Sequence, residues 1–151
     1  AFFALHPSSR VWVHARLAPH THGVASAAGI ASIIGGAQPD EIVASGRRRM
    51  RAIPCDRLDR SLFATNALGD NTWFKEKSVP AELGSVDAFV SHSWHDDPDA
   101  KWGALQAWRR AFKARSGGVE PRIWFDRACI DQEDVSADLP FLPVYLAGCH
   151  Q

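Results

Sequence analysis

Polar and aromatic side chains follow two short apolar runs of the chain, and their types could support chemistry. The first run leads into Ser91, His92, Ser93 and Trp94, and the second ends in Asp126. Hydroxyl, imidazole and carboxylate groups can bind the polar atoms of a small ligand. If both runs are parallel strands, their carboxyl ends meet at one edge of a sheet, where open α/β sheets bind ligands. The sequence therefore predicts a ligand site at that edge.

Other chemical interpretations of these side chains are less well supported. A Ser-His-Asp triad needs a base that reaches the nucleophile and an acid that orients the base, whereas neighbouring side chains of a strand point in different directions. A divalent cation could be held by the histidines and aspartates of this stretch, which are His92, His95, Asp96, Asp97 and Asp99. Asp97, however, precedes a proline and predicts a helix cap, so we expect no metal site. Asp126 has a structural alternative, as a carboxylate that accepts backbone N–H bonds and fixes its loop. Trp94 and Trp124 could form a stacking surface for a base, although core packing is the favoured interpretation of both.

The two apolar runs predict buried parallel strands joined by a helix. Residues 86–90 and Arg122–Phe125 are short and largely β-branched or aromatic, as central parallel strands are. Asp97, followed by proline, predicts the start of the helix, and Gly117 predicts its end. The apolar stripe of this helix consists of Trp102, Leu105, Trp108 and Phe112. A further apolar run, Leu142–Ala147, predicts a third strand, so the pattern indicates an α/β fold with a parallel sheet.

The first 80 residues have a different character and predict a mostly helical or irregular segment. Small apolar residues predict a helix over 24–36, and Asp40 predicts the cap of a second helix over 41–52. The second helix carries an arginine-rich run, residues 47–51. On an exposed helix face such a run is usually solvated and does not indicate a nucleic-acid site. A boundary near residues 81–85 then separates residues 1–80, of unassigned role, from a domain over 81–151.

The composition excludes several classes of partner. The 17 basic and 17 acidic residues balance, so the net charge favours neither a nucleic-acid nor a membrane partner. No apolar run approaches the roughly 20 residues that span a bilayer. Three cysteines without a Cys-x-x-Cys motif fit a reducing, cytoplasmic compartment better than a disulfide scaffold. The chain starts without Met and stops directly after an apolar run, so we expect a fragment of a longer protein.

The order and spacing of three motifs resemble those of the Toll/interleukin-1 receptor (TIR) family, in a divergent branch. The motifs are Asp87-Ala-Phe-Val-Ser-His-Ser-Trp94, Ile123-Trp-Phe-Asp126 and residues 139–147. The resemblance covers about residues 86–151, the N-terminal half of such a domain. It implies a flavodoxin-like parallel sheet with the strand order 2-1-3-4-5, truncated here after the third strand. The first strand would then lie between the second and the third.

The resemblance also implies a function in signalling and protein interaction. Residues 127–135 correspond to the loop through which TIR domains assemble, so the expected partners are other TIR-like domains. The expected partner contacts are Arg127, Ala128, Cys129, Ile130, Asp131 and Gln132.

Some members of the family instead cleave NAD with a glutamate on the helix after the third strand. In that case the nucleotide pocket would be lined by Ser91, His92, Ser93, Trp94 and Asp126. Neither Glu120 nor Glu133 lies at the catalytic position, so we expect no catalysis from this chain, although the intact protein could be an NAD hydrolase. A nucleotide-binding α/β module without catalysis is the remaining alternative. No cofactor is implied, and NAD would be a substrate.

Overall fold

The computed structural model describes residues 20–64, 76–91 and 97–150 of the chain. Its α-helices are α1 (His20–Gly35), α2 (Pro39–Arg49), α3 (Ser61–Ala64), α4 (Pro98–Arg115), α5 (Asp126–Cys129), α6 (Val135–Asp138) and α7 (Leu142–Ala147). Its strands are β1 (Arg51–Pro54), β2 (Val79–Pro80), β3 (Ala88–Val90) and β4 (Arg122–Phe125). Short 3₁₀ turns lie at Cys55–Arg57 and Leu139–Phe141.

The described strands form one mixed sheet with the order β2-β1-β4-β3. Strands β3 and β4 run parallel, with Phe89 opposite Trp124 and Val90 opposite Phe125. Strand β1 is antiparallel to both β4 and β2. The fold is α/β, as predicted. The expectation of an all-parallel sheet is wrong, because β1 comes from the segment that we predicted to be helical or irregular.

The second predicted helix ends earlier than expected, which leaves residues for β1. Helix α2 ends at Arg49, and its N-cap is Gln38, not Asp40. Proline at position 54 disfavours a longer helix, since it lacks the N–H that a helix interior needs. Ala52 and Ile53 in the middle of β1 are fully buried, so burial in the sheet outweighs the local helical pattern.

The segment Leu142–Ala147, which we predicted as a third strand, is the helix α7. A six-residue apolar run does not distinguish a strand from a buried helix, and Pro143 in the first turn favours the helix. Tyr145 is its largest fully buried side chain. The chain meets the sheet after this helix, where Cys149 forms a parallel bridge with Val86.

Val86 and Asp87, just before β3, pair with backbone groups on opposite edges. On one edge the Asp87 N–H donates to the Arg122 carbonyl at 2.8 Å. On the other edge the Val86 carbonyl accepts a bond from the His150 N–H at 2.9 Å. Backbone groups of successive strand residues point to opposite edges, so the segment at Cys149 lies on the edge of β3 that faces away from β4.

Helices cover both faces of the sheet, as the two central side chains of β4 show. Trp124 stacks on Phe89, with 4.4 Å between ring centroids, and packs at 5.6 Å against Tyr145 of α7. Successive strand side chains point to opposite faces, and Phe125 accordingly stacks at 5.2 Å on Phe63 of α3. Phe63 in turn packs against a tryptophan of α4. The sheet is therefore the middle of three layers.

The predicted start and end of α4 are confirmed. The Asp97 side chain accepts a hydrogen bond from the Asp99 N–H at 2.9 Å, and Pro98 lies in the first turn. The chain leaves the helix through Gly117, whose φ of 69° favours glycine. Leu105, from the predicted apolar stripe, is buried in the core. Helix α4 therefore forms the crossover between the parallel strands β3 and β4.

A second hydrophobic cluster joins helices α1, α2 and α7. It consists of Val24, Ala28, Ala31, Ile42 and Val144. Gly46 on α2 faces this cluster, and a Cβ added there would lie 2.9 Å from Cγ1 of Val144. This glycine therefore permits the close approach of α2 to α7.

We expect Gly46→Ala to lower the free energy of unfolding by about 1–3 kcal/mol through overpacking, although alanine is favoured over glycine in a helix by about 1 kcal/mol. Gly103→Ala on α4 is the matched control, because nothing lies within 4 Å of the added Cβ. This variant should gain up to about 1 kcal/mol. Urea unfolding followed by circular dichroism measures both variants. Equal stabilisation of the two would contradict the packing of α2 against α7.

Candidate functional site

The parallel register of β3 and β4 brings two of the predicted site residues together. Ser91 follows β3 and Asp126 follows β4, and the Ser91 hydroxyl lies 3.4 Å from Oδ2 of Asp126, within hydrogen-bond reach. The other predicted ligand contacts, His92, Ser93 and Trp94, lie outside the described residues. Their role in ligand binding stays a prediction.

Asp126 is held by the turn that it begins. Its Oδ1 accepts a hydrogen bond from the Arg127 N–H at 2.8 Å. Its backbone carbonyl accepts bonds from the Ile130 N–H at 3.1 Å and from Nε2 of Gln132 at 3.0 Å. The carboxylate thus fixes its loop through a backbone bond and also faces Ser91. The structural and the ligand-contact interpretations of Asp126 are therefore compatible.

A groove of about 260 Å³ opens beside these two residues. It is lined by Phe89, Ser91, Trp124, Asp126, Arg127, Ile130, Gln132, Val135, Leu139 and Leu142. One end of the groove is polar, with a hydroxyl, a carboxylate and an amide. The stacked pair Phe89 and Trp124 forms an aromatic part of its wall, and aliphatic side chains of α6 and the following turn complete it.

Trp124 combines an aromatic surface with an unsatisfied hydrogen-bond donor. The side chain is only 1% exposed, and among the described residues its indole N–H has no hydrogen-bond partner. Buried donors without a partner are uncommon because each costs free energy. The nitrogen itself has almost no accessible surface, so Trp124 supports the wall of the groove from within the core.

The predicted partner-binding residues differ in their exposure. Residues Arg127, Ala128, Cys129 and Ile130 are buried, because 126–129 form the helical turn α5 where we expected a polar loop. Arg127 is 7% exposed and donates from Nη1 to the Leu62 carbonyl at 2.8 Å. Burial lowers the pKa of this guanidinium. Asp131 and Gln132 are half-buried, so their part in partner binding stays a prediction.

Cys129, which we expected in an assembly loop, is a core thiol. The Phe125 N–H donates to its sulfur at 3.4 Å, and burial raises the pKa of the thiol to about 12. Burial likewise raises the pKa of Cys55 to about 12. Since the thiolate is the reactive form of cysteine, burial disfavours both side chains as nucleophiles.

A buried carboxylate, Asp138, ties the groove to the helices behind it. It accepts hydrogen bonds from the Tyr145 hydroxyl at 3.0 Å, from Nη1 of Arg49 at 3.3 Å and from the Asp131 N–H at 3.4 Å. Burial, followed by the charge of Asp138, raises the pKa of Tyr145. The segment from Asp131 to Asp138 is thereby fixed at both ends.

Several lining residues were not predicted as site residues. Phe89 is the cross-strand neighbour of Trp124, which follows only once the register is known. The core interpretation of Trp124 is confirmed, since the side chain is 1% exposed. Leu139 and Leu142 enter the groove because the run that we predicted as a strand is helical. The only available signal was the alternation of side chains along the two strands.

Within residues 20–64, 76–91 and 97–150, no group of three or more His, Cys, Asp or Glu side chains could hold a metal ion. Over the same described ranges, no helix has both the length and the apolar character needed to cross a membrane. Comparisons with protein-family models, with curated proteins and with solved structures find no match to this chain. Its function must therefore be inferred from the geometry of the groove.

Proposed function

We propose that this chain is a TIR-like α/β module whose groove binds a nucleotide, with NAD as the first candidate. The observation that carries the proposal is the position of Ser91 and Asp126, 3.4 Å apart at the carboxyl ends of adjacent parallel strands. Ligands of open α/β sheets bind at such edges.

The connections around β3 support a flavodoxin-like strand order. Helix α4 leads from β3 to β4 and packs towards Phe63 on one face. The segment from α5 to α7 leads from β4 to Cys149 and packs against Trp124 on the other face. With β3 as first strand and β4 as second, the segment at Cys149 takes the place of the third. The groove then lies beside the point where the connections diverge, the usual ligand position in these folds.

The chemistry of the groove suits a nucleotide. The Asp126 carboxylate accepts hydrogen bonds, and the Ser91 hydroxyl both donates and accepts them, as ribose hydroxyl groups require. The half-buried Phe89 ring, which is backed by the buried Trp124, offers an apolar surface to a base together with Leu139 and Leu142.

We assign nucleotide binding to the groove and no cleavage step. Of the described lining residues, Asp126 is the only carboxylate. Its two oxygens lie within reach of the Ser91 hydroxyl and the Arg127 N–H. A carboxylate in this position can orient a sugar hydroxyl, whereas the resemblance places the glutamate of NAD cleavage on a later helix.

Nucleotide binding is tested by titrating the full chain with NAD and following ¹⁵N NMR signals. We expect shifts at the Trp124 indole and at the amides of Ser91 and Asp126. Asp126→Asn removes the charge and should weaken binding about tenfold or more, since bonds to charged groups are the stronger ones. Glu133→Gln, exposed and outside the groove, is the control and should bind as the wild type does.

Absence of any shift at millimolar NAD would overturn the proposed function, as would equal loss of binding in the two variants. Release of nicotinamide during the titration, measured by chromatography, would show cleavage as well and would extend the proposal to catalysis.

A second candidate function is homotypic assembly through the rim of the groove. Two apolar side chains of this rim are exposed, Val135 at 37% and Leu139 at 50%. Exposed Glu133 and Asp134 precede them. An apolar patch with a charged border is typical of protein contacts, and this one directly follows the predicted contacts Asp131 and Gln132.

Assembly is tested by sedimentation of the full chain over a range of concentrations. Val135→Ser combined with Leu139→Gln should shift self-association to higher concentration. Val119→Ser, an equally apolar exposed site at 60% exposure, should leave it unchanged. A chain that stays monomeric throughout, or a rim variant that associates like the wild type, would rule out this surface.

A further inference from the structure

A second cavity, of about 200 Å³, lies between the C-terminal end of α2 and the segment after α5. We call it the basic cavity. It is lined by Arg48, Arg49, Met50, Arg51, Pro80, Cys129, Ile130, Asp131 and Asp138. Of these residues, only Ile130 also lines the groove, so an inference from this cavity is independent of the proposed function.

Positive charge predominates in the basic cavity. Three guanidinium groups line it against two carboxylates. The Asp138 carboxylate is already occupied, by the Tyr145 hydroxyl, the Asp131 N–H and one nitrogen of Arg49. Oδ1 of Asp131 accepts a bond from the Glu133 N–H at 3.1 Å. The three arginines and two aspartates leave a net charge of +1 on the lining, and this charge favours an anion over a cation.

The Arg51 side chain is held in place by hydrogen bonds, whereas the side chains of Arg48 and Arg49 are more exposed and can change conformation. Arg51 is held by Ser78, to which Nε and Nη2 each donate at 2.8 Å. The Arg49 side chain is 47% exposed, and its guanidinium lies 5.6 Å from the centre of the Phe141 ring. Arg48 is exposed and donates from Nη2 to the Ser45 hydroxyl at 2.9 Å. A guanidinium has five N–H donors, so both exposed groups can bind a further acceptor.

The helix dipole accounts for only part of this arrangement. Cations in the last turn of α2 are favoured by the negative end of its dipole, and this explains Arg47, Arg48 and Arg49 equally. Arg47 does not line the cavity, however, and Arg51 lies beyond the helix on β1. The helix dipole therefore does not explain why arginines from both α2 and β1 line the same cavity.

We propose that the basic cavity binds a phosphate-bearing anion, with Arg48 and Arg49 as its hydrogen-bond donors and Arg51 as a fixed positive charge. The planar fork of a guanidinium matches the oxygens of a phosphate group and binds two of them at once. Both inorganic phosphate and the phosphates of a larger molecule offer this chemistry.

The proposal is tested by isothermal titration calorimetry, in which the full chain is titrated with inorganic phosphate and, separately, with pyrophosphate. The ionic strength is kept constant with sodium chloride. We expect saturable binding, and tighter binding of pyrophosphate. Arg48→Gln should weaken binding about tenfold, as expected for the loss of a charge-assisted pair. Arg47→Gln removes the same charge from the same helix turn outside the cavity and should change binding by less than about twofold, since charges on the surface are screened.

Arg49→Lys keeps the charge but loses the planar fork, and it should also weaken binding. This variant shows whether binding depends on the planar shape of the guanidinium or on its charge alone. Circular dichroism shows whether each variant stays folded. Absence of saturable binding to both anions would overturn the proposal. Equal weakening by Arg47→Gln and Arg48→Gln would overturn it too, because it would show a diffuse electrostatic attraction. Tighter binding of adenosine monophosphate than of phosphate would identify a larger molecule as the source if Arg48→Gln weakens it and Asp126→Asn in the groove does not, whereas the reverse pattern would assign that binding to the groove and not to the basic cavity.

Discussion

The candidate site depends on the parallel register of β3 and β4, in which Phe89 pairs with Trp124 and Val90 pairs with Phe125. In this register Trp124 packs against α7 on one sheet face and Phe125 packs against α3 on the other. Each face of the sheet is therefore covered by its own layer of helices. The register also ends both strands at one edge, where a hydroxyl and a carboxylate meet. A slip of one residue would turn each of these side chains to the opposite face.

Buried polar groups then hold the wall of the groove against this short parallel pair. The Arg127 guanidinium donates a hydrogen bond to the Leu62 carbonyl of α3. The Asp138 carboxylate accepts hydrogen bonds from a side chain of α2, a side chain of α7 and the Asp131 N–H. Such groups are costly to bury unless they are paired, and here each has a partner on a different element. Asp138 lines the basic cavity and Ile130 lines both cavities, so the groove and the basic cavity adjoin the same segment of the chain.

The sequence sufficed for features that local patterns determine. The Asp97 cap follows from capping chemistry, and the exit of the chain from α4 through Gly117 follows from glycine conformation. The strand Arg122–Phe125 follows from its β-branched and aromatic composition. Strand β1 did not follow, because its stability comes from pairing with β4, far away in the chain. Nor did α7, since a short apolar run fits a strand and a buried helix equally well. Ser91 and Asp126 could be identified because each follows a predicted strand. The position of Phe89 in the wall of the groove could be identified only from the register of β3 and β4.

The register itself is open to direct measurement by NMR on the isotopically labelled full chain. We predict cross-strand nuclear Overhauser effects of parallel type that connect Phe89 with Trp124 and Val90 with Phe125. The Asp87 amide, which bonds to the Arg122 carbonyl at 2.8 Å, should exchange slowly with solvent. Contacts that place Val90 opposite Trp124, or an antiparallel pattern between these strands, would contradict the account and remove the basis for the groove.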